Sequence, residues 1–258
     1  MATPPALRYL EHEATVYRRV WRSSLVPSFL APVLFLAAIG GTLGHTIDRR
    51  GVGHLGGVGY LAFLAPGLLA SNAMQVGVNE CLHPVLGGFK WTKHFIAASA
   101  TPLRPVDIVS GWLGWVALRL TLVSTVFAAV AAVAGALPTL LAVLAVPVAV
   151  LTGLAFAAPA TAWAATRERD ESFAALQRFV LLPLFLFSGT FFPISQLPAA
   201  LRPVAWLTPL WHGVSLCRSL ALGRVGAAAA AGHLVVLVTM TAAGALASGA
   251  TFRRRLAA

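Results

Sequence analysis

Hydrophobic residues run along this chain in long blocks, and short segments between the blocks hold nearly all the charge. A helix that crosses a bilayer needs about 20 mainly apolar residues. Six blocks meet that requirement: Ser24–Leu43, Tyr60–Val78, Ile108–Ala134, Thr139–Ala165, Phe173–Phe192 and Ala227–Ala250. Prolines fall inside several of them (Pro27, Pro32, Pro66, Pro147, Pro159, Pro183). Membrane helices tolerate this because neighbouring groups satisfy the freed carbonyls. The pattern predicts an all-α integral membrane protein with six transmembrane helices, residues 1–258 forming one membrane domain.

Three stretches depart from simple spanning. In residues 1–23, Leu7, Leu10, Ala14, Tyr17 and Trp21 recur at helical spacing, while Arg8, Arg18, Arg19 and Arg22 fall on the flank and opposite side. That pattern predicts an interfacial helix lying at the headgroup boundary, either a plain anchor or a lever against a cytosolic partner. The connection over residues 81–106 carries Phe89, Lys90, Trp91, Lys93, His94, Phe95 and Ile96. Gly87-Gly88 and Pro102 predict a helix between them. Its aromatics and lysines fit either a docking element or an interfacial belt. In Leu181–Trp211 an apolar run breaks at Pro193, Pro198, Pro203 and Pro209. Irregular backbone at membrane depth persists only where protein buries it or a wet cavity lines it.

Composition sharpens the class. The 258 residues are 58% hydrophobic and 10% charged, against about 25% charged in soluble domains. The net charge of +11 is spread between apolar blocks, which points to anionic lipid headgroups and a cytosolic partner, not nucleic acid. With a cytoplasmic N-terminus, thirteen Lys and Arg lie inside and five outside, leaving Arg119 within a span. The positive-inside rule then places both termini in the cytoplasm. Four arginines precede the first block with no small-x-small cleavage site after it, which predicts a retained anchor. Cys81 and Cys217 have neither metal spacing nor a disulfide framework.

Several chemistries lack their residues. There is no G-x-x-x-x-G-K-[ST] phosphate loop and no H-E-x-x-H or Cys/His cluster. Ser188-Gly189 and His212 fit no local nucleophile pattern, so no catalytic residue and no metal ligand is assigned. None of the eight acidic residues lies in the middle of a block. Carriers driven by protons need such a carboxylate, although a sodium site built from backbone carbonyls stays open. Arg119 lies eleven residues past Ile108, about 16 Å along a helix. It is read either as a clamp on a neighbouring helix or as an anion-attracting group on a substrate path. Asn72 and Gln75 are polar positions of the same kind, helix–helix glue or path lining.

In order along the chain stand Ala65-Pro66-Gly67-Leu68, Glu80, Pro84-Val85, Gly88-Phe89-Lys90-Trp91, Ala100-Thr101-Pro102-Leu103 and Asp107-Ile108. Arg119, Phe156-Ala157-Ala158-Pro159 and Ala164-Ala165-Thr166-Arg167 follow. Ser188-Gly189-Thr190-Phe191-Phe192-Pro193 and Thr208-Pro209-Leu210-Trp211-His212 complete the series. From about Leu61 to Gly223 the chain resembles the membrane subunits of ABC-2 type exporters, and most of all the nodulation lipo-oligosaccharide permeases and antibiotic-resistance exporter permeases. The resemblance implies a six-helix half-transporter that pairs with a second permease subunit, a copy of itself or a paralogue. Each half would sit on an ABC ATPase chain, two copies in all, which would carry the ATP and Mg; no cofactor is expected on this chain. It implies an interfacial helix at Leu7–Arg22 and a coupling helix at about Gly88–Thr101, with Phe89, Lys90, Trp91, Lys93 and His94 as docking residues. It also implies an external re-entrant hairpin over residues 193–222, with Ser188, Phe191, Phe192 and Pro193 as gate candidates. The expected cargo is a lipid-linked saccharide or an amphiphilic natural product, moved out of a bacterial plasma membrane. Two other readings stay open: an ion-coupled carrier or channel, and a membrane-embedded lipid-modifying enzyme.

Overall fold

A computed structural model describes residues 4–38, 58–200 and 202–257, without the side chains of 19–33, 35 and 36. Every regular element among them is helical. In chain order these are α1 (Pro5–Ala38), α2 (Tyr60–Cys81), α3 (His83–Lys90), α4 (His94–Ser99), α5 (Pro105–Val133), α6 (Ala145–Ala164), α7 (Glu171–Leu176), α8 (Leu182–Phe187), α9 (Arg202–Trp206), α10 (Pro209–Ala221) and α11 (Ala227–Leu256). Among the described residues, four helical stretches are long and apolar enough to cross a membrane: Tyr60–Lys90, Pro105–Val133, Leu140–Ala164 and Ala227–Leu256. They answer to the second, third, fourth and sixth expected spans. The end of the first expected span, residues 39–43, and most of the glycine-rich loop after it lie outside the described residues.

The N-terminal stretch differs from expectation. Pro5–Ala38 is one continuous helix, with no break at residue 23 between an interfacial segment and a span. No glycine or proline occurs from Ala6 to Val26, so no residue there ends a helix. The first turns of α1 pack on α5. A Cβ at Gly111 would lie 2.8 Å from the Ala6 carbonyl oxygen, and the Tyr17 and Trp115 rings meet edge-on at 5.2 Å.

At the centre stands α6, which is rich in alanine and glycine and touches α2, α5, α10 and α11. Helices in a membrane gain nothing from hiding apolar area from lipid, so close van der Waals approach of small residues drives their association. At the α2–α6 crossing a Cβ on Gly77 would fall 2.6 Å from the Gly153 carbonyl oxygen. Against α11, Ser248 Oγ donates to the Ala158 carbonyl at 2.8 Å.

The fifth expected span is a chain of short pieces: α7, a wide turn over Gln177–Leu181, and α8. In the wide turn the Leu182 N–H donates to the Gln177 carbonyl, five residues back. Pro183 follows directly. In a regular helix its ring would strike the Phe179 carbonyl, and the wider turn relieves that clash.

Aromatic rings gather at one end of the bundle, here called the near end. Phe95 is fully buried there, with Tyr9 at 6.4 Å, Phe89 at 4.9 Å, Trp112 at 5.6 Å and Phe252 at 5.0 Å between ring centroids. Residues from α1, α3, α4, α5 and α11 meet around this one ring, so the starts of α1 and α5 and the finish of α11 lie together.

Candidate functional site

Two short helices make up the near-end loop. The expected single helix over Gly88–Thr101 is broken at Trp91–Lys93, where Lys93 has φ +54°, the left-handed conformation. Gly87 and Gly88 lie inside α3 instead of bounding a helix, because Phe95 and His94 of α4 close over Gly88 and leave no room for a Cβ.

This fold separates the five docking candidates. Phe89 corrects the expectation of a surface aromatic. It is buried against Phe95 and Phe252, with the Arg255 guanidinium 4.6 Å above its ring. His94 is half-buried, and its Nδ1 lies 2.8 Å from Thr92 Oγ1. Burial, and then the nearby His12, push its pKa below the ordinary histidine range. Lys90, Trp91 and Lys93 are exposed, Trp91 to 61%. Lys90 Nζ donates to the Glu168 carbonyl at 2.9 Å. Arg255 stitches the same loop: Nη1 donates to the Ala165 and Arg167 carbonyls at 2.7 and 2.8 Å, and Nη2 meets Glu168 Oε1 at 3.0 Å. The sequence carries a trace of this staple in two segments of opposite charge, Glu168–Glu171 and Arg253–Arg255, but gives no sign that they meet.

Arg119 is not alone. Its Nη2 lies 2.6 Å from Glu80 Oε1, and its guanidinium carbon is 4.5 Å from the Tyr17 ring centroid. Only 5% of the arginine side chain and 23% of the glutamate are exposed. Glu80 reads from sequence as the start of a loop, but it belongs to the last turn of α2. The ion pair joins α2 to α5, and the Tyr17 ring brings in α1, so Arg119 has the neighbouring-helix partner that the clamp reading requires.

Asn72 and Gln75 share a face of α2 with Asn79, which the sequence reading missed; spacings of three and four residues align them. None of the three is fully buried. Gln177, in the wide turn before α8, donates from Nε2 to Asn79 Oδ1 at 2.9 Å. Asn72 Nδ2 is buried and has no hydrogen-bond partner. The result is a stripe of uncharged amides along a membrane helix, partly open within one chain.

The proline-broken segment is pinned at the far end. Gly189 takes φ +83°, and Ser188 and Thr190 on either side are buried. The hydroxyls of Thr190 and Ser71 hydrogen-bond at 2.8 Å. Arg218, counted from sequence as a loop residue, donates to the Phe63, Gly189 and Thr190 carbonyls at 3.0, 2.8 and 3.2 Å. Its guanidinium lies 3.7 Å from the Phe63 ring centroid. Ser188 Oγ and Thr208 Oγ1 are 3.4 Å apart, so residues 189–207 form an excursion closed at its neck. Among the gate candidates, Ser188 is buried in this neck, while Phe191, Phe192 and Pro193 are half-buried beyond it. Phe191 packs edge-on against Phe185 at 5.0 Å.

Beside this excursion, His212 Nε2 lies 2.9 Å from the Trp206 carbonyl and His212 Nδ1 lies 2.8 Å from His233 Nδ1. A carbonyl only accepts, so His212 carries its proton on Nε2 and His233 donates from Nδ1. No group of three metal-ligating side chains occurs among the described residues.

A family model described as ABC-2 type transporter matches residues 9–222. The chain is 34% identical to Nodulation protein J of Rhizobium leguminosarum bv. viciae over 248 residues, 93% of each chain. It is 34% identical to Nodulation protein J of Bradyrhizobium diazoefficiens over 240 residues, 93% of this chain and 89% of the relative. It is 22% identical to Inner membrane transport permease YadH of Escherichia coli K12 over 206 residues, 77% of this chain and 75% of the relative. No solved structure matches significantly.

Proposed function

The chain belongs to the ABC-2 type transporter family, and from that premise we propose that it is the permease subunit of an ATP-driven exporter. Its cargo is an amphiphile, a lipid-linked saccharide or a similar natural product, that leaves the inner leaflet of a bacterial plasma membrane. The observation that carries this reading is the amide stripe of Asn72, Gln75, Asn79 and Gln177. A buried amide facing hydrocarbon without a partner costs several kcal/mol. A stripe left partly open in one chain is therefore best satisfied by a polar cargo in a path, here at the interface with a second permease subunit. The amides are neutral, and they fit hydroxyl-rich headgroups.

In this reading α1 and the α7–α8 segment supply the first and fifth of six spans. Both termini face the cytoplasm. The segment 193–222 is an external re-entrant hairpin, its neck held by Arg218 and Ser71. Two ATPase chains, which carry ATP and Mg, dock beneath the near end. Trp91, Lys93 and Lys90 are the exposed contacts, backed by the rings around Phe95.

Purification from the native membrane tests the proposal. A P-loop ATPase should co-purify, and the reconstituted complex should move an amphiphile only with ATP. Transport by the purified permease alone, driven by an ion gradient, would overturn it in favour of a carrier. Chemical conversion of a lipid by the chain alone would overturn it in favour of an enzyme.

A further inference from the structure

Asn79 and His83 stand four residues apart at the corner of α2 and α3, and Phe173 and Gln177 stand four apart on the segment that faces them. The two pairs meet like rungs of an antiparallel ladder. Gln177 Nε2 donates to Asn79 Oδ1 at 2.9 Å, and the His83 and Phe173 rings stand edge-on at 5.1 Å. Asp170 adds a third contact, its Oδ2 lying 3.8 Å from His83 Nε2.

The rungs are unequal. Phe173 is buried and also meets the Trp163 ring of α6, at 5.4 Å, so it is held from two elements. The Gln177–Asn79 bond and the His83–Asp170 contact are exposed, and exposed polar contacts add little stability beyond what water offers the same groups. Helix–helix glue would be buried, as the Ser71–Thr190 bond is. The wide turn that begins at Gln177 gives this segment room to flex. The loop before α7 is gripped from outside: Lys90 of α3 and Arg255 of α11 both hold Glu168. Phe173 is thus a pivot, and Gln177 is the end free to swing.

We propose that α7 and the wide turn form a latch on the near-end mouth of the amide stripe: the Gln177–Asn79 bond shuts the mouth, and a swing about Phe173 opens it to a polar headgroup from the adjoining leaflet. Asn79 is the member of the stripe nearest that end. Asn72 lies about two turns deeper, its Nδ2 buried and without a partner. The latch rests on the reading of the stripe as a cargo path and adds control of its entrance. Opening exchanges one amide–amide bond for bonds from Asn79 and Gln177 to the incoming hydroxyls, so a hydroxyl-rich headgroup offsets the loss and a bare acyl chain does not.

Thiol labelling tests the latch without any cargo. The full chain carrying Asn72→Cys is placed in lipid nanodiscs and treated with a charged methanethiosulfonate, which attacks the thiolate and so needs water at the site. Adding Asp170→Ala and Gln177→Ala should speed labelling at position 72 at least fivefold, while the buried Cys217 stays unlabelled. An unchanged rate overturns the latch. If those changes expose Cys217 as well, Asn79→Leu in their place carries the same expectation and the same refutation. Export is the second readout. Asn79→Cys with Gln177→Cys, joined by a short bis-methanethiosulfonate in the permease–ATPase complex, should cut ATP-driven movement of a fluorescent lipid with a disaccharide headgroup at least tenfold, and reductant should restore it. Full export with the link in place overturns the latch. If the wild type moves no lipid but labelling responds as expected, the transport reading fails and the latch stands.

Discussion

The pairing of Arg119 with Glu80 yields the sharpest prediction. Glu80→Gln removes the counter-charge and leaves a guanidinium that is only 5% exposed. Breaking a buried pair on one side costs about 3–5 kcal/mol. The glutamate is about a quarter exposed, and the Tyr17 ring gives the cation a second neighbour, so the lower limit of about 3 kcal/mol is expected. For a chain of this size each kcal/mol moves the unfolding midpoint by about 2–4 °C, which gives a fall of roughly 6–12 °C. Replacing both partners by apolar residues often restores stability, since no charge is left stranded. The double variant Glu80→Leu, Arg119→Leu should therefore unfold above either single variant. The assay is the fluorescence of the seven tryptophans during heating in detergent, followed by transport in liposomes. The clamp assignment fails if Glu80→Gln unfolds like the wild type. It also fails if the double variant matches wild-type stability and yet exports nothing, because the arginine would then be acting on cargo.

The remaining predictions concern single contacts. Gly77→Ala would push α2 off the Gly153 backbone; it should destabilise by about 1–3 kcal/mol, measured by the same thermal assay. Asn72→Leu removes a buried amide nitrogen with no partner, so it should raise stability by about 1 kcal/mol while lowering ATP-dependent export; unchanged export would take Asn72 off the path. Lys93 occupies a left-handed backbone position, so Lys93→Gly should stabilise by about 1 kcal/mol and leave the helix break intact, whereas Trp91→Ala with Lys93→Glu should weaken ATPase pull-down without moving the unfolding midpoint.

Four long apolar blocks could be read because each apolar run matches one helix, and a helix keeps its hydrogen bonds within itself. What sequence left out was chiefly contact between distant segments. Arg119 stands alone in the sequence because its partner is 39 residues away. Arg218 counted as an external loop charge, yet it caps carbonyls 28 to 155 residues distant. Phe89 and Trp91 are alike in composition and two residues apart, but α3 turns one inward and the other out. The break at Lys93 carries no glycine or proline to announce it, and the fully buried Phe95 follows two residues later. The amide stripe was half legible. Helical spacing joins Asn79 to Asn72 and Gln75, but Gln177 reaches it only through the wide turn ahead of Pro183.

The Phe95 cluster has a mechanical consequence. Packed rings compress poorly, so a cluster of this kind passes on displacement instead of absorbing it. A thrust against the short helix that carries Phe95 would reach α1, α5 and α11 in a single step. α7 and α8 contribute no ring to that hub, and their hydrogen-bonding is already irregular at the Gln177–Leu181 turn. Movement of the near end would therefore divide this bundle into a stiff block and one pliable strut, and the strut is the element that carries Gln177 against the amide stripe.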